Sequence, residues 1–237
     1  MPLTDATANA ASQTLSRGIR VLEVLAGAGH PLTIEEITAE LGAHRSVAYR
    51  LIRTLELHGL VGRDAAGRVQ LGAGLAALAA GVARDLQAEA LPELTAAAND
   101  LGMTCFLVVL DRDECVTLAS VEPRHAVAAV AQRPGTRHPV TAGAPGKAIL
   151  SQLPPDAWPK NTSAALAEQV RTASVRGWAE SQNEVIPSLH AVAVPLVVRG
   201  RPPAAIAAVH LPGGGEAPTV AERLSLSAAV IRDALGG

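Results

Sequence analysis

The feature that most limits what this chain can fold into is a change of hydrophobic period between residues 13 and 71. Leu15, Ile19, Leu22 and Leu25 recur at helical spacing, and Gly27-Ala28-Gly29 closes that stretch. Thr33 is a helix N-cap with Glu36 three residues on, a capping box that opens a second helix. Ile34, Ile37 and Leu41 face inward on it, and Gly42 ends it. After Ala43-His44 the spacing predicts a third helix from Arg45 to about His58, with Val47, Ala48, Leu51, Ile52 and Leu55 on its buried side. Short strands over 60–63 and 68–71 then flank the turn Asp64-Ala65-Ala66-Gly67. Three helices with a tight turn before the third, followed by a β-hairpin, are the order of a winged helix-turn-helix.

The third helix of such a unit buries one face and offers the other to the major groove. His44, Arg45, Ser46 and Tyr49 lie near its start and are the expected base contacts. Arg50 and Arg53 lie further along and suit phosphates, as do Arg63 and Arg68 on the wing. The N-terminus of the second helix, at Thr33, offers free backbone N–H groups to another phosphate. Between Ser12 and Gly72, seven arginines stand against six acids, a net of only +1, and three of the acids sit in the second helix. The layout of charge, not its amount, therefore favours nucleic acid. The whole chain carries −2 with two lysines, Lys147 and Lys160, which excludes a generally basic coat protein.

Residues 1–12 are small and polar and read as a loose tail. Leu75, Leu78, Val82 and Leu86 form a stripe on a linking helix to about residue 85, and a further helix is expected from Leu94 to Leu101 after Leu91-Pro92. Beyond Gly102 the pattern turns to strands over 103–110, 115–121, 127–132, 191–198 and 205–211, with helices over 147–152 and 220–235. The expected organisation is α+β in two domains: tail 1–12, winged helix 13–72, linking helix 73–87, and an α/β sensory domain 88–237. Folding the hairpin about Asp111-Arg112-Asp113 sets Cys105 opposite position 119, so Cys105 and Cys115 are not expected to form a disulfide. Met1 to Ser12 lacks the marks of a signal peptide and no run is apolar enough for a membrane span, so a soluble, cytoplasmic protein is expected.

Other chemistries find little support. Gly72-Ala73-Gly74-Leu75-Ala76-Ala77 satisfies Gly-x-Gly-x-x-Ala, the dinucleotide fingerprint, but no parallel strand ending in an acid follows it. Gly143-Ala144-Pro145-Gly146-Lys147-Ala148 has too few residues between its glycines for a phosphate loop, and Ala148 has no hydroxyl for Mg²⁺. Lys147 is left to cap carbonyls or form a salt bridge. The seven histidines show no metal-ligand spacing, and no nucleophile motif occurs, so no catalysis, metal or cofactor is expected. Arg124-His125 suits either an anionic ligand or a solvated loop.

Three separated stretches carry a family likeness. They are Gln13 to Leu25 with Leu32-Thr33-Ile34-Glu35-Glu36-Ile37 and Ser46 to Leu55; His138 to Leu150; and Arg176-Gly177-Trp178 with Glu184-Val185-Ile186-Pro187 and Val192-Ala193-Val194-Pro195. In this order they resemble the IclR family of bacterial transcription regulators over nearly the whole chain. The resemblance implies a winged helix, a linking helix and a GAF-like effector domain. It also implies a homodimer or homotetramer on a near-palindromic double-stranded DNA operator, with repression as the expected mode. The implied effector is a small organic acid or aromatic catabolite, held by residues that fall here at Ala142, Gly143, Ala144, Pro145, Ser181, Ala191 and His210. Thr141 stands where the family has His, Pro145 where Ala or Leu is usual, Ser181 near an acidic position and Ala191 at a small polar one. The stretch 154–169 is short for the family. His210, on an apolar strand, reads equally as a satisfied core histidine. The alternatives to a regulator are a winged-helix protein-interaction module with a degenerate sensor and, further off, a nucleotide-cofactor enzyme. In a dimer the Leu75–Leu86 stripe would set subunit spacing, and one continuous helix would carry rotation from sensor to wing.

Overall fold

The computed structural model describes residues 12–125 and 132–236. The expected tail and the expected strand over 127–132 therefore lie outside the described residues, except for Ser12 and Gln132. The chain divides between Val82 and Ala83 into two units, each with its own core.

The first unit has helices α1 (Gln13–Ala28), α2 (Ile34–Leu41) and α3 (Arg45–Leu57), then β1 (Val61–Arg63), β2 (Val69–Leu71) and a short α4 (Gly74–Ala79). Val21, Ile37, Ile52 and Val69 are fully buried where the three helices meet the hairpin. Burying side chains of this size stabilises by about 1.5–3 kcal/mol each. Leu32 exchanges both backbone hydrogen bonds with Val69, at 2.9 and 2.7 Å, which ties the α1–α2 connection to the wing. The capping box forms as expected: Thr33 N–H donates to Glu36 Oε2 at 2.7 Å, and Glu36 N–H donates to Thr33 Oγ1 at 3.2 Å. Thr33→Ala is expected to cost this unit about 1 kcal/mol, measured as a lower denaturation midpoint by circular dichroism.

Gly72 and Gly74 have a backbone reason. A Cβ at Gly72 would lie 2.3 Å from the Gly59 carbonyl oxygen, and one at Gly74 would lie 2.7 Å from it. The glycine spacing that imitates a dinucleotide fingerprint is the chain passing the end of α3.

The linking segment departs from the expected single helix. α4 ends at Ala79, a turn occupies 80–83, and α5 (Arg84–Leu101) begins afresh. Ala83 sits in the left-handed region at φ 44°, a conformation that breaks an α-helix for an L residue. Pro92, expected to separate two helices, lies inside α5. Leu86 is core, whereas Leu78 and Val82 are 66% and 51% exposed, so the stripe is divided between two environments.

The second unit continues with β3 (Thr104–Asp111), β4 (Glu114–Val121), β5 (Arg137–Pro139), α6 (Gly143–Leu150), a 3₁₀ turn (Pro155–Ala157), α7 (Ala164–Arg176), β6 (Ala179–Gln182), β7 (His190–Leu196), β8 (Ala204–His210) and α8 (Ala217–Ala234). All neighbours in the six-stranded sheet β5-β4-β3-β8-β7-β6 are antiparallel. Central β8 is buried throughout because both faces are covered. Ala204, Ile206 and Ala208 face a core made with α5 and α8; Ala205, Ala207 and Val209 face one made with α6 and α7. Alanine on both faces lets the helices approach closely. Arg201 grips Asp85 with both terminal nitrogens at the start of α5, and that fork, with the Leu86 amide, holds the Asp85 carboxyl down to about 2.

Cys105 pairs with Val121 rather than with position 119, because the turn centres between Arg112 and Asp113 and a bulge intervenes at Leu107/Val108. Cys105 and Cys115 sit in cores on opposite faces of the sheet, which keeps them as free thiols, and burial pushes both up to about 12. α6 starts at Gly143, four residues before the expected position. Pro145 fits there because first-turn amides need no helical partner. Trp158 donates from its indole to the Leu150 and Leu153 carbonyls at 3.1 Å, and Trp178 lies under the Arg176 guanidinium, 3.6 Å from the ring centroid.

Candidate functional site

The first candidate surface is the outer face of α3. Ala48, Leu51 and Ile52 point into the core, which leaves Ser46, Tyr49, Arg50 and Arg53 as an exposed stripe at helical spacing. His44 is the N-cap, its Nδ1 accepting from the Ser46 amide at 3.4 Å and lying 3.0 Å from Ser46 Oγ. Arg45 pairs with Glu35 at 2.9 Å, an exposed contact that is weak in water. Among the described residues Arg50 and Arg53 form no ion pair, so their guanidinium groups face solvent uncommitted.

The wing arginines are placed differently. Arg63 donates to Glu56 at 2.7 Å and to the Gly67 carbonyl at 3.0 Å, locking the wing to α3. Arg68 bonds Asp64, whose carboxylate also accepts from the Ala66 and Arg68 amides at 2.9 Å. Both are thus holding the turn that a phosphate contact would use. Thr33 is a poorer phosphate seat than expected, since its amide and hydroxyl both go to Glu36. Those two donors hold the Glu36 carboxyl below its ordinary value, and Glu35 adds a second negative charge to the same helix turn.

The second candidate is a recess in the sensory unit where α6, the β6–β7 turn and the sheet meet. The β6–β7 register sets Ser181 opposite Ala191 and Gln182 opposite His190, which brings one wall together. Gly143, Pro145, Ser181 and Ala191 line the recess, as the family likeness implies. Ala142, Ala144 and His210 do not. Ala144 is fully buried in the core behind, and its amide donates to Ser181 Oγ at 2.9 Å. His210 is satisfied by the Leu211 carbonyl, 2.7 Å from Nδ1, with its ring edge-on to His190 at 5.7 Å.

Glu184 has no counterpart among the expected site residues. Its carboxylate accepts from the Gly143 amide at 2.9 Å and from Lys147 Nζ at 2.5 Å, while Lys147 also donates to the Glu180 carbonyl at 3.1 Å. Lys147 therefore plays both roles left open for it. Phe106, His138, Val185, Ile186 and Leu189 complete much of the lining. His138 is held below the ordinary histidine value by burial, in spite of acceptors at Pro139 and Ala142, which favours a neutral ring. The free volume is about 40 Å³, because Val185 folds onto Gly143. Arg124 and His125 lie apart, beside Asn99 and Gly102 in a separate open hollow. No group of three or more potential metal ligands occurs among the described residues, and none of their helices is long and apolar enough to cross a membrane.

Both units have counterparts among known proteins. Residues 14–65 match the IclR helix-turn-helix domain, and residues 79–230 match the bacterial transcriptional regulator IclR C-terminal domain. An HTH-type transcriptional regulator of Mycobacterium tuberculosis is 33% identical over 145 residues, 61% of this chain and 56% of the relative, so that match spans little more than half of the relative's length. The glycerol operon regulatory protein of Streptomyces griseus is 29% identical over 221 residues, 85% of this chain and 84% of the relative. An IclR homologue from Microbacterium hydrocarbonoxydans, solved in complex with 4-hydroxybenzoate, superposes with a TM-score of 0.82 at 26% identity, covering 94% of this chain and 99% of that one. The Mycobacterium and Streptomyces relatives are regulators. The chain belongs to the IclR family of bacterial transcriptional regulators.

Proposed function

We propose that this chain binds operator DNA in the cytoplasm as a homodimer or homotetramer, represses transcription, and changes its operator affinity when a small organic acid or aromatic molecule enters the sensory recess. The observation that carries the reading is the exposed Ser46-Tyr49-Arg50-Arg53 stripe with two uncommitted guanidinium groups. His44, Arg45, Ser46 and Tyr49 read base edges, Arg50 and Arg53 hold phosphates, and Arg63 and Arg68 keep the wing in shape to approach the backbone. Exposed Leu15 and Ile19 on α1, with Leu78 and Val82 after the wing, supply apolar surface for a second copy. Two-fold symmetry then sets the recognition helices about 34 Å apart and makes the operator a near-palindrome. The 4-hydroxybenzoate complex of the Microbacterium relative supports the ligand half of the reading. A ligand that favours one recess shape shifts operator affinity by about 1–3 kcal/mol, and the coupling passes through the 80–83 turn rather than along a continuous helix.

Fluorescence anisotropy on DNA upstream of the protein's own gene tests this, titrated from low to physiological salt. Affinity is expected to fall by about a thousandfold between 50 and 200 mM salt if the dimer neutralises about six phosphates. Binding no tighter than to random DNA would overturn operator recognition at that site.

A further inference from the structure

The groups facing the recess bear on the charge of its ligand. Among the described residues that line it there is no lysine or arginine; the ionisable ones are Glu184, His138 and His190. Lys147, the cation bonded to Glu184, lines a different hollow on the outer side, and its side chain is 4% exposed. Its ammonium is already engaged by Glu184 and the Glu180 carbonyl. The two amides at the start of α6 are also taken, Gly143 by Glu184 and Ala144 by Ser181. A ligand carboxylate placed here would meet no lysine or arginine in the lining and would sit beside an existing carboxylate, an arrangement that is costly in a low-dielectric site.

The polar capacity that remains is of another kind. Ser181 Oγ accepts from Ala144, so its own hydrogen is left to donate. Glu184 has lone pairs beyond those that Gly143 and Lys147 use. One hydroxyl group can accept from the first and donate to the second. Gln132, which already donates to Thr117, His138, which lies on the Pro139 carbonyl, and His190 also line it; the rest of the wall is apolar, from Phe106, Pro145, Val185, Ile186, Leu189 and Val209. A volume of about 40 Å³ holds a water or two, so a ligand enters by displacing Val185 and Ile186, which are 43% and 40% exposed on the β6–β7 turn.

We infer that the effector of this chain is an uncharged, largely apolar molecule bearing a hydroxyl group, and not a carboxylate. The inference rests on the sensory role proposed above for this recess.

Benzyl alcohol and benzoate share a carbon skeleton and differ in charge at neutral pH, and they make the test. Their binding to the full chain is measured by calorimetry and ligand-detected NMR, with operator binding followed in parallel by anisotropy. The wild type is expected to hold benzyl alcohol at least tenfold tighter than benzoate. Glu184→Gln removes the repelling charge and frees Lys147, so the ratio is expected to shrink at least fivefold. Val185→Ala keeps the charge and enlarges the recess, so the preference should persist with tighter binding of benzyl alcohol. Benzoate binding as tightly as benzyl alcohol to the wild type overturns the charge assignment and leaves the sensory role standing. Binding of neither at millimolar concentration, with operator binding intact, overturns the sensory role and this inference together.

Discussion

Arg50→Ala combined with Arg53→Ala is expected to weaken operator binding by about a thousandfold at physiological salt. Each guanidinium group contributes about 1 kcal/mol through a charge-assisted phosphate contact, and a dimer carries four of them. The more specific expectation concerns salt. Losing four contacts lowers the slope of log affinity against log salt by about 3.6, at about 0.9 per contact. Anisotropy titrations over a range of salt read both numbers from one data set. Arg63→Ala makes the contrast: Arg63 is bonded to Glu56 and the Gly67 carbonyl, so it acts on wing geometry. It should weaken binding with a slope change of less than one. If the double variant kept the wild-type slope, the phosphate contacts would have to lie elsewhere.

Gly146→Ala should do to the sensory unit what the first pair does to DNA binding. A Cβ at Gly146 would stand 2.0 Å from the Val140 carbonyl oxygen and 2.8 Å from its carbonyl carbon. These are backbone atoms of the turn that leads into a wholly buried helix, so no side chain can rotate away. The cost is at the top of the usual overpacking range, about 3 kcal/mol or more. For a unit of this size, that lowers the melting temperature by about 6–12 °C. The DNA-binding unit should keep its own transition. A melting temperature within a degree of wild type would mean that α6 can shift along Val140 after all.

The winged helix was legible because its signals are local. The Thr33–Glu36 box, the Gly42 and Gly59 stops and the 3.6-residue period each act within a few residues. The sensory unit was legible in class but not in detail. β5 and β6 have three and four residues, too short for a period to declare itself, and α7 is alanine-rich with few strongly apolar positions. The break at 80–83 holds a glycine, Gly81, but the apolar stripe from Leu75 to Leu86 runs across it at helical spacing and hid the interruption. Ser181 and Ala191 reached the recess through family likeness, and the strand register explains why they share a wall. Glu184 stood out only as part of the family likeness and not as a site residue, because its partner amide at Gly143 lies 41 residues earlier, a separation that no spacing rule covers.

The scarcity of aromatic side chains has a practical consequence. Both tryptophans, Trp158 and Trp178, belong to the sensory unit, while the chain's one tyrosine, Tyr49, lies 49% exposed on the face of α3 offered to DNA. The unmodified protein is thus already labelled in two colours. Selective tryptophan excitation watches the sensor alone, and the tyrosine signal watches the operator-facing helix. Ligand entry and DNA capture can be timed separately in one cuvette, with no dye attached.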